Sequence, residues 1–110
     1  MSKESALEGK NSVTFNFIFD SYGDYSYTTS KYGFGKNVNV GGVITVPEDG
    51  VYSVNVKSSD GGGGQWEKVK ANEKVSCVIN TNLWHETTIT INIHSNMPNL
   101  SGKAIIDYSV

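Results

Sequence analysis

The segment Glu86–Ser95 alternates almost strictly between apolar and small polar residues, and this alternation constrains the fold more than any other feature of the chain. Side chains on a β-strand point alternately to opposite faces, so Ile89, Ile91 and Ile93 share one face and the polar residues between them share the other. No helical period fits this run. The segment therefore predicts a strand with one buried face and one face in solvent.

The same alternation recurs along most of the chain, and turn-forming residues separate the alternating segments. Pro47-Glu48-Asp49-Gly50 predicts a turn with proline at its second position, and the pair Gly41-Gly42 favours a β-bulge. The expected strands are Ser12–Phe19, Asp24–Ser30, Val38–Val46, Val51–Ser58, Gln65–Val69, Lys74–Asn80, Glu86–Ser95 and Lys103–Val110. Eight short strands at this spacing predict an all-β fold, a single antiparallel β-sandwich of the jelly-roll type.

The length of 110 residues suits one domain with one modest core. We expect residues 1–10 to form an extended N-terminal arm and residues 11–110 to form the sandwich domain. The N-terminal residues lack the apolar stretch of a signal peptide, which predicts cytoplasmic synthesis and any release by a leaderless route. No apolar run reaches the roughly 20 residues that a membrane-spanning helix needs.

Charge and cysteine content exclude several classes of protein. The formal net charge is −2, and all nine basic residues are lysines scattered along the chain. Because arginine is the preferred residue for phosphate and guanine contacts, nucleic-acid binding is not expected. The single cysteine, Cys77, excludes an internal disulfide, and its place on the apolar side of a strand predicts a buried small hydrophobic residue.

Signatures of catalysis are absent from the sequence. His85 and His94 are nine residues apart without a helical metal-binding motif, and no nucleophile-elbow pattern occurs. We therefore expect neither an enzyme nor a cofactor. Loop carboxylates such as Asp20 and Asp24 could bind Ca²⁺ together with backbone carbonyls, which leaves a calcium site open as an alternative to their role in turns.

Aromatic residues concentrate beside Asn, Asp and Gly in three loop regions, namely Asp20–Tyr27 continuing to Tyr32–Gly35, Asp60–Trp66 and Asn80–Glu86. A sugar presents apolar C–H faces and a ring of hydroxyls. Aromatic rings can cover the former and Asn, Asp or backbone groups can bind the latter, and loops on a rigid β scaffold are a common place for such sites. The pattern favours a lectin-like carbohydrate-binding module with a glycan or glycoconjugate as its partner.

Seven residues are the predicted ligand contacts. We expect Trp84 and Trp66 to stack on the sugar and Asp24, Asn82 and His85 to bind its hydroxyls. Tyr22 and Tyr25 complete the predicted set. The competing interpretation is that these aromatic side chains cap the ends of the sandwich, with their polar atoms in water.

Two other classes of function remain open from the sequence. Low charge and outer faces rich in Ser, Thr and Asn suit a self-assembling structural protein that forms an oligomer, a filament or a crystalline inclusion. The N-terminal arm or a free sheet edge could then pair with a neighbouring copy, and a homo-oligomer is expected. A membrane-active β toxin is the second alternative, because Glu86–Ser95 would also suit an amphipathic barrel strand, although membrane insertion is not the favoured prediction.

One passage resembles a known family. The stretch Gly42-Val43-Ile44-Thr45-Val46-Pro47-Glu48-Asp49-Gly50-Val51-Tyr52-Ser53-Val54-Asn55-Val56 resembles the apolar-Pro-x-x-Gly-apolar-Tyr passage of C1q/TNF-like jelly rolls. The resemblance covers Gly42–Val56, about one-seventh of the chain. It implies a trimeric jelly roll that binds protein or glycan ligands. The matched stretch holds scaffold positions, so it assigns no binding residue.

Overall fold

The computed structural model covers residues 10–31 and 37–109, which form eight antiparallel strands in two four-stranded sheets. The predicted all-β class and strand number are thus confirmed. Of the predicted N-terminal arm, only Lys10 is among the described residues. Tyr32–Gly35 and Val110 also lie outside them. The strands are β1 (Lys10–Ile18), β2 (Asp24–Lys31), β3 (Asn37–Val46), β4 (Val51–Ser58), β5 (Gly63–Lys70), β6 (Lys74–Asn80), β7 (Thr87–Ser95) and β8 (Ser101–Ser109).

The strand order is that of a jelly roll. One sheet has the order β1-β8-β3-β6 and the other has the order β2-β7-β4-β5. Of the described strands, only β4 and β5 are both consecutive in the chain and hydrogen-bonded to each other, so nearly every connection crosses from one sheet to the other. Each sheet therefore joins strands from distant parts of the sequence, and the two sheets enclose one core between them. The described residues form no helix that could span a bilayer.

The core forms where the inner faces of the two sheets meet. In β7, Ile89, Ile91 and Ile93 are buried, as predicted, and the buried face extends to Thr87 and Ser95 at the two ends of the strand. The alternation on the other strands places further apolar side chains opposite them. These core residues are Phe17, Phe19, Val38, Val40, Ile44, Tyr52, Val54, Val56, Val69, Ile79, Ala104, Ile106 and Tyr108.

Aromatic stacking closes the sandwich along the side where the two edge strands β1 and β2 meet. The rings of Phe15 and Tyr27 stack with a centroid separation of 4.5 Å, and those of Phe17 and Tyr25 stack at 4.6 Å. Stacked aromatic pairs stabilise by about 0.5–1.5 kcal/mol beyond the area that they bury. Tyr25 is thus held by packing between the sheets.

The expected bulge at Gly41-Gly42 is wrong. Both glycines pair in continuous register with β6 and with β8, and the irregularity of β3 lies between Ile44 and Val46. An extra residue at Gly41-Gly42 would interrupt two ladders at once because β3 is an interior strand. The following turn also differs from expectation: the Gly50 N–H donates to the Pro47 carbonyl over 3.2 Å, which makes proline the first residue of the turn.

The connections divide between two ends of the sandwich. The β1–β2 end carries the connections β1–β2, β3–β4, β5–β6 and β7–β8, and the β6–β7 end carries β4–β5 and β6–β7. At the β1–β2 end, Gly23 adopts a φ of 80°, and a Cβ atom there would lie 1.9 Å from the Ser95 carbonyl oxygen. Glycine is required at this position because both the conformation and the close approach exclude a side chain.

The buried face of β7 should dominate stability. We expect Ile91→Ala to lower the free energy of unfolding by about 2–5 kcal/mol, because the substitution leaves a cavity between the sheets. Thr90→Ala changes the neighbouring residue on the outer face and should lower the free energy of unfolding by about 1 kcal/mol or less. Urea denaturation followed by tryptophan fluorescence measures both values. Equal losses for the two variants would contradict the assignment of the faces.

Candidate functional site

A cluster of polar and aromatic residues from two connections lies at the β6–β7 end. The β4–β5 connection supplies Asp60, the β6–β7 connection supplies Asn82, Trp84 and His85, and Thr87 opens β7. We call these five residues the Trp84 cluster. The jelly-roll order brings the two connections together because β4 and β7 are hydrogen-bonded neighbours in one sheet.

The Asp60 carboxylate is the centre of this cluster. Thr87 Oγ1 donates to Asp60 Oδ2 over 2.5 Å, and His85 Nε2 donates to Asp60 Oδ1 over 2.9 Å. Thr87 is buried. The hydrogen bond from Thr87 lowers the pKa of Asp60 below its usual value, and the hydrogen bond and charge of His85 add to this against the opposing effect of burial. Asp60 is therefore ionised at neutral pH and joins the two connections.

Asn82 fixes the backbone on the other side of the cluster. Its Oδ1 accepts a hydrogen bond from the Trp84 N–H over 2.7 Å, and its own N–H donates to Thr87 Oγ1 over 3.2 Å. Asparagine commonly stabilises tight turns in this way. A backbone hydrogen bond of 2.9 Å from the Asn80 N–H to the Gly61 carbonyl adds a second link between the connections.

The Trp84 side chain points into solvent although its backbone is held. Its relative exposure is 87%, and the neighbouring Leu83 is 55% exposed. The His85 side chain is also more than half exposed while it contacts Asp60. The cluster thus presents a large aromatic surface on a connection that also carries an imidazole and an amide. Such a surface can stack on an apolar face and bind hydroxyls at its rim.

The other predicted contacts lie elsewhere. Trp66 lies on β5 opposite Val54 and is partly buried against the core, where its ring covers Gly64 at a distance that leaves no room for a Cβ atom. Tyr22, at the β1–β2 end, is 80% exposed. Asp24 and Tyr25 begin β2 at that same end.

The seven predicted residues therefore fall into three groups. Asn82, Trp84 and His85 come together, Trp66 lies between the sheets, and the residues of the β1–β2 connection and the start of β2 lie at the opposite end of the sandwich. At that end the His94 Nδ1 donates to Asp24 Oδ1 over 2.6 Å across neighbouring strands. One ligand contacting all seven residues is not compatible with this placement.

Asp60 and Thr87 are members of the cluster that are not among the seven predicted contacts. Asp60 precedes four glycines at the start of the loop region Asp60–Trp66. Thr87 carried a usable signal, since it occupies the apolar side of the alternation that continues through Ile89 and Ile91. A polar residue on a buried face requires a hydrogen-bond partner, and here that partner is Asp60.

Among the side chains that the structure describes, no group of three or more His, Cys, Asp or Glu residues could hold a metal ion. Cys77 is a free thiol that packs partly buried against the core. Its burial raises the pKa of the thiol.

Comparisons with known proteins find likeness in structure. No protein-family model and no curated protein matches the sequence. The crystal structure of the Yersinia pseudotuberculosis-derived mitogen matches with a TM-score of 0.57 and 13% identity, over 91% of this chain and 86% of that chain. At this identity the likeness supports the β-sandwich fold and extends to nothing else.

Two further solved structures match with lower scores. PliG of Aeromonas hydrophila, a periplasmic lysozyme inhibitor of g-type lysozyme, has a TM-score of 0.49 and 12% identity, over 92% of this chain and 85% of its own. The P-domain of Macrobrachium rosenbergii nodavirus has a TM-score of 0.42 and 15% identity, over 92% of this chain and 90% of its own.

The link between Asp60 and Thr87 should be pH-dependent. A carboxylate whose pKa is lowered in the folded state stabilises the fold above its unfolded pKa of 3.8, and that contribution is lost as the pH falls through the folded value. In a double-mutant cycle of Asp60→Asn and Thr87→Val, we expect a coupling free energy between the two residues at pH 7. This coupling free energy should be smaller at pH 3. Urea denaturation of the four proteins measures it, and a coupling that is equal at both pH values would contradict the assignment.

Proposed function

We propose that this protein is a non-enzymatic carbohydrate-binding module and that the Trp84 cluster contacts the glycan. The observation that carries the proposal is the 87% exposure of Trp84 on a backbone held by hydrogen bonds. Tryptophan is usually largely buried, and folding gains little from an indole in this position. Its exposure is explained if a ligand covers it.

The geometry suits a sugar in two respects. Covering about 100 Å² of indole surface contributes about 2.5 kcal/mol at about 25 cal/mol per Å². His85 and Asn82 belong to the same connection as Trp84, and their imidazole and amide supply polar atoms for hydroxyl groups. Because both connections are already linked through Asp60, little backbone entropy is lost on binding.

Trp84→Ala tests this proposal. We expect affinity for the bound glycan to fall on the order of 50-fold, the equivalent of about 2.5 kcal/mol, with the urea midpoint unchanged, because the side chain is exposed. Binding is measured first on a glycan array and then by titration with the sugar so identified.

Tyr22→Ala is the matched control, since Tyr22 is 80% exposed at the opposite end of the sandwich and should leave binding at Trp84 intact. Trp66→Ala should instead lower the free energy of unfolding, because the Trp66 ring packs against the core. Full binding by Trp84→Ala, or unfolding of that variant, would overturn the assignment.

A second candidate function, self-association, is favoured by an apolar patch at the β1–β2 end. Ile18 is 67% exposed, and Val46 and Leu100 are also exposed. Ile18 and Val46 line one shallow depression, and the Phe19 N–H donates to the Leu100 carbonyl, which places all three residues close together. β1 is an edge strand, paired with β8 alone in the described sheet, and a free edge can pair with another copy.

Ile18→Lys tests whether this patch joins copies of the chain. We expect the variant to have a smaller mass in solution than the unmodified protein, because a lysine ammonium would have to be desolvated at the contact. Multi-angle light scattering provides the measurement. Thr14→Lys is the control, since Thr14 is an exposed residue of the same strand with a side chain on the same face. Equal masses for all three proteins would exclude a contact through Ile18.

A further inference from the structure

A polar groove on the outer face of the β2-β7-β4-β5 sheet is a candidate binding site separate from the Trp84 cluster. Its volume is about 410 Å³, within the range of small-ligand sites. The groove lies toward the β1–β2 end, and its floor includes Val54 and Ile93, whose side chains point into the core. Period-two alternation turns the polar residues between these core residues outward, into the groove.

Strand register builds the groove from two adjacent rows of hydrogen-bonding side chains. In the first row Asp24 pairs with His94, which pairs in turn with Ser53. The second row crosses all four strands of the sheet and consists of Ser26, Asn92, Asn55 and Gln65. Because the residues of a row lie on neighbouring strands, about 4.8 Å separates successive members, and a ring-sized ligand can contact several of them at once.

One buried polar atom of the groove lacks a hydrogen-bond partner. Asn55 Oδ1 is buried and accepts no hydrogen bond, and Asn55 Nδ2 reaches Gln65 Oε1 only at 3.5 Å, the limit of a hydrogen bond. A buried acceptor without a donor opposes folding. Gln65 is exposed, so its side chain can move aside and admit a donor to Asn55.

The charges of the groove select a neutral ligand. Among the described residues that line the groove there is no lysine, and the one imidazole, His94, already contacts Asp24. Its two carboxylates are engaged within the protein: Asp20 Oδ1 accepts the N–H groups of Tyr22 and Asp24, and Asp24 Oδ1 accepts from His94 Nδ1 over 2.6 Å. The remaining donors and acceptors are amides, hydroxyls and an imidazole edge. Hydroxyl groups match this set because each both donates and accepts.

We infer that this groove binds a neutral, polyhydroxylated ring, a sugar residue, through the rows Asp24-His94-Ser53 and Ser26-Asn92-Asn55-Gln65, with a ligand hydroxyl donating to Asn55 Oδ1. The inference does not depend on the Trp84 cluster, since the two lie at different ends of the sandwich. If both sites bind sugars, one chain holds two glycan contacts, and it can link two glycans without forming an oligomer.

Nuclear magnetic resonance titration of the full chain carrying Trp84→Ala tests the groove alone. The probes are glucose, galactose, mannose and inositol at up to about 50 mM, a range in which a few hydrogen bonds give measurable binding. Glucosamine and glucose 6-phosphate serve as charged controls. We expect a neutral probe to shift the backbone amides of Ser26, Asn55 and Asn92. No shift in the groove with any neutral probe, or shifts with charged probes alone, would overturn the inference.

Asn55→Leu supplies the matching variant. It replaces the unpaired amide by an apolar group of the same branched shape, so we expect folding stability to be retained and the dissociation constant of the bound probe to rise about tenfold. Asn92→Ala tests the same row on the neighbouring strand if the leucine disturbs the sheet. Ser30→Ala is the control, at the far end of β2 on the same face. Unchanged affinity in both groove variants would overturn the inference. A fall in glycan affinity caused by Trp84→Ala reports on the Trp84 cluster alone. The groove is tested separately, by the probes that bind the Trp84→Ala chain.

Discussion

The burial of one face of β7 between the two sheets is the constraint on which the rest of the structure depends. β7 is an interior strand that pairs with β2 on one side and with β4 on the other. Burial of its inner face therefore sets the register of all three strands. Because side chains alternate, burial of Ile89, Ile91 and Ile93 turns Thr90, Asn92 and His94 outward. The polar surface of this sheet therefore follows from the packing of its apolar face.

The two candidate sites lie at the two ends of this same strand. At one end Thr87, the first inward residue of β7, donates to Asp60 and holds the connection that carries Trp84. Near the other end His94 donates to Asp24 on β2 and forms one wall of the groove. A rigid central strand thus positions two separate sets of polar side chains, one through its buried face and one through its exposed face.

The strands could be predicted from the sequence because period-two alternation is a local property, readable within a few residues. Which strands pair could not be predicted in this way, since the jelly roll joins β2 to β7 and β1 to β8 across most of the chain. The resemblance of Gly42–Val56 to C1q/TNF-like jelly rolls implied the same class of fold, while the trimer that it also implies stays a prediction. The proximity of Asn82, Trp84 and His85 could be predicted because these residues are close in sequence, but their link to Asp60 depends on strand order.

Trp66 shows where local reasoning fails. Val69 is buried, and strict alternation back from it would turn Trp66 outward. Lys68 instead adopts a φ of 58°, and the pairing of β4 with β5 shifts between Tyr52 and Val54, so the alternation is reversed and Trp66 packs toward the core. A positive φ at a lysine leaves little trace in sequence, because glycine and asparagine are the residues usually found there.

Folding alone explains neither of the two features that support binding. An indole that is 87% exposed adds little to the core, and the unpaired Asn55 oxygen opposes folding. The hydrogen bonds from Thr87 and His85 to Asp60, by contrast, stabilise the connection that presents Trp84. Hydrogen bonds therefore hold the backbone that carries the exposed ring, while the groove keeps one buried acceptor free. Both features fit the proposed binding of hydroxyl-rich ligands, because a site organised before binding loses less entropy when the ligand arrives.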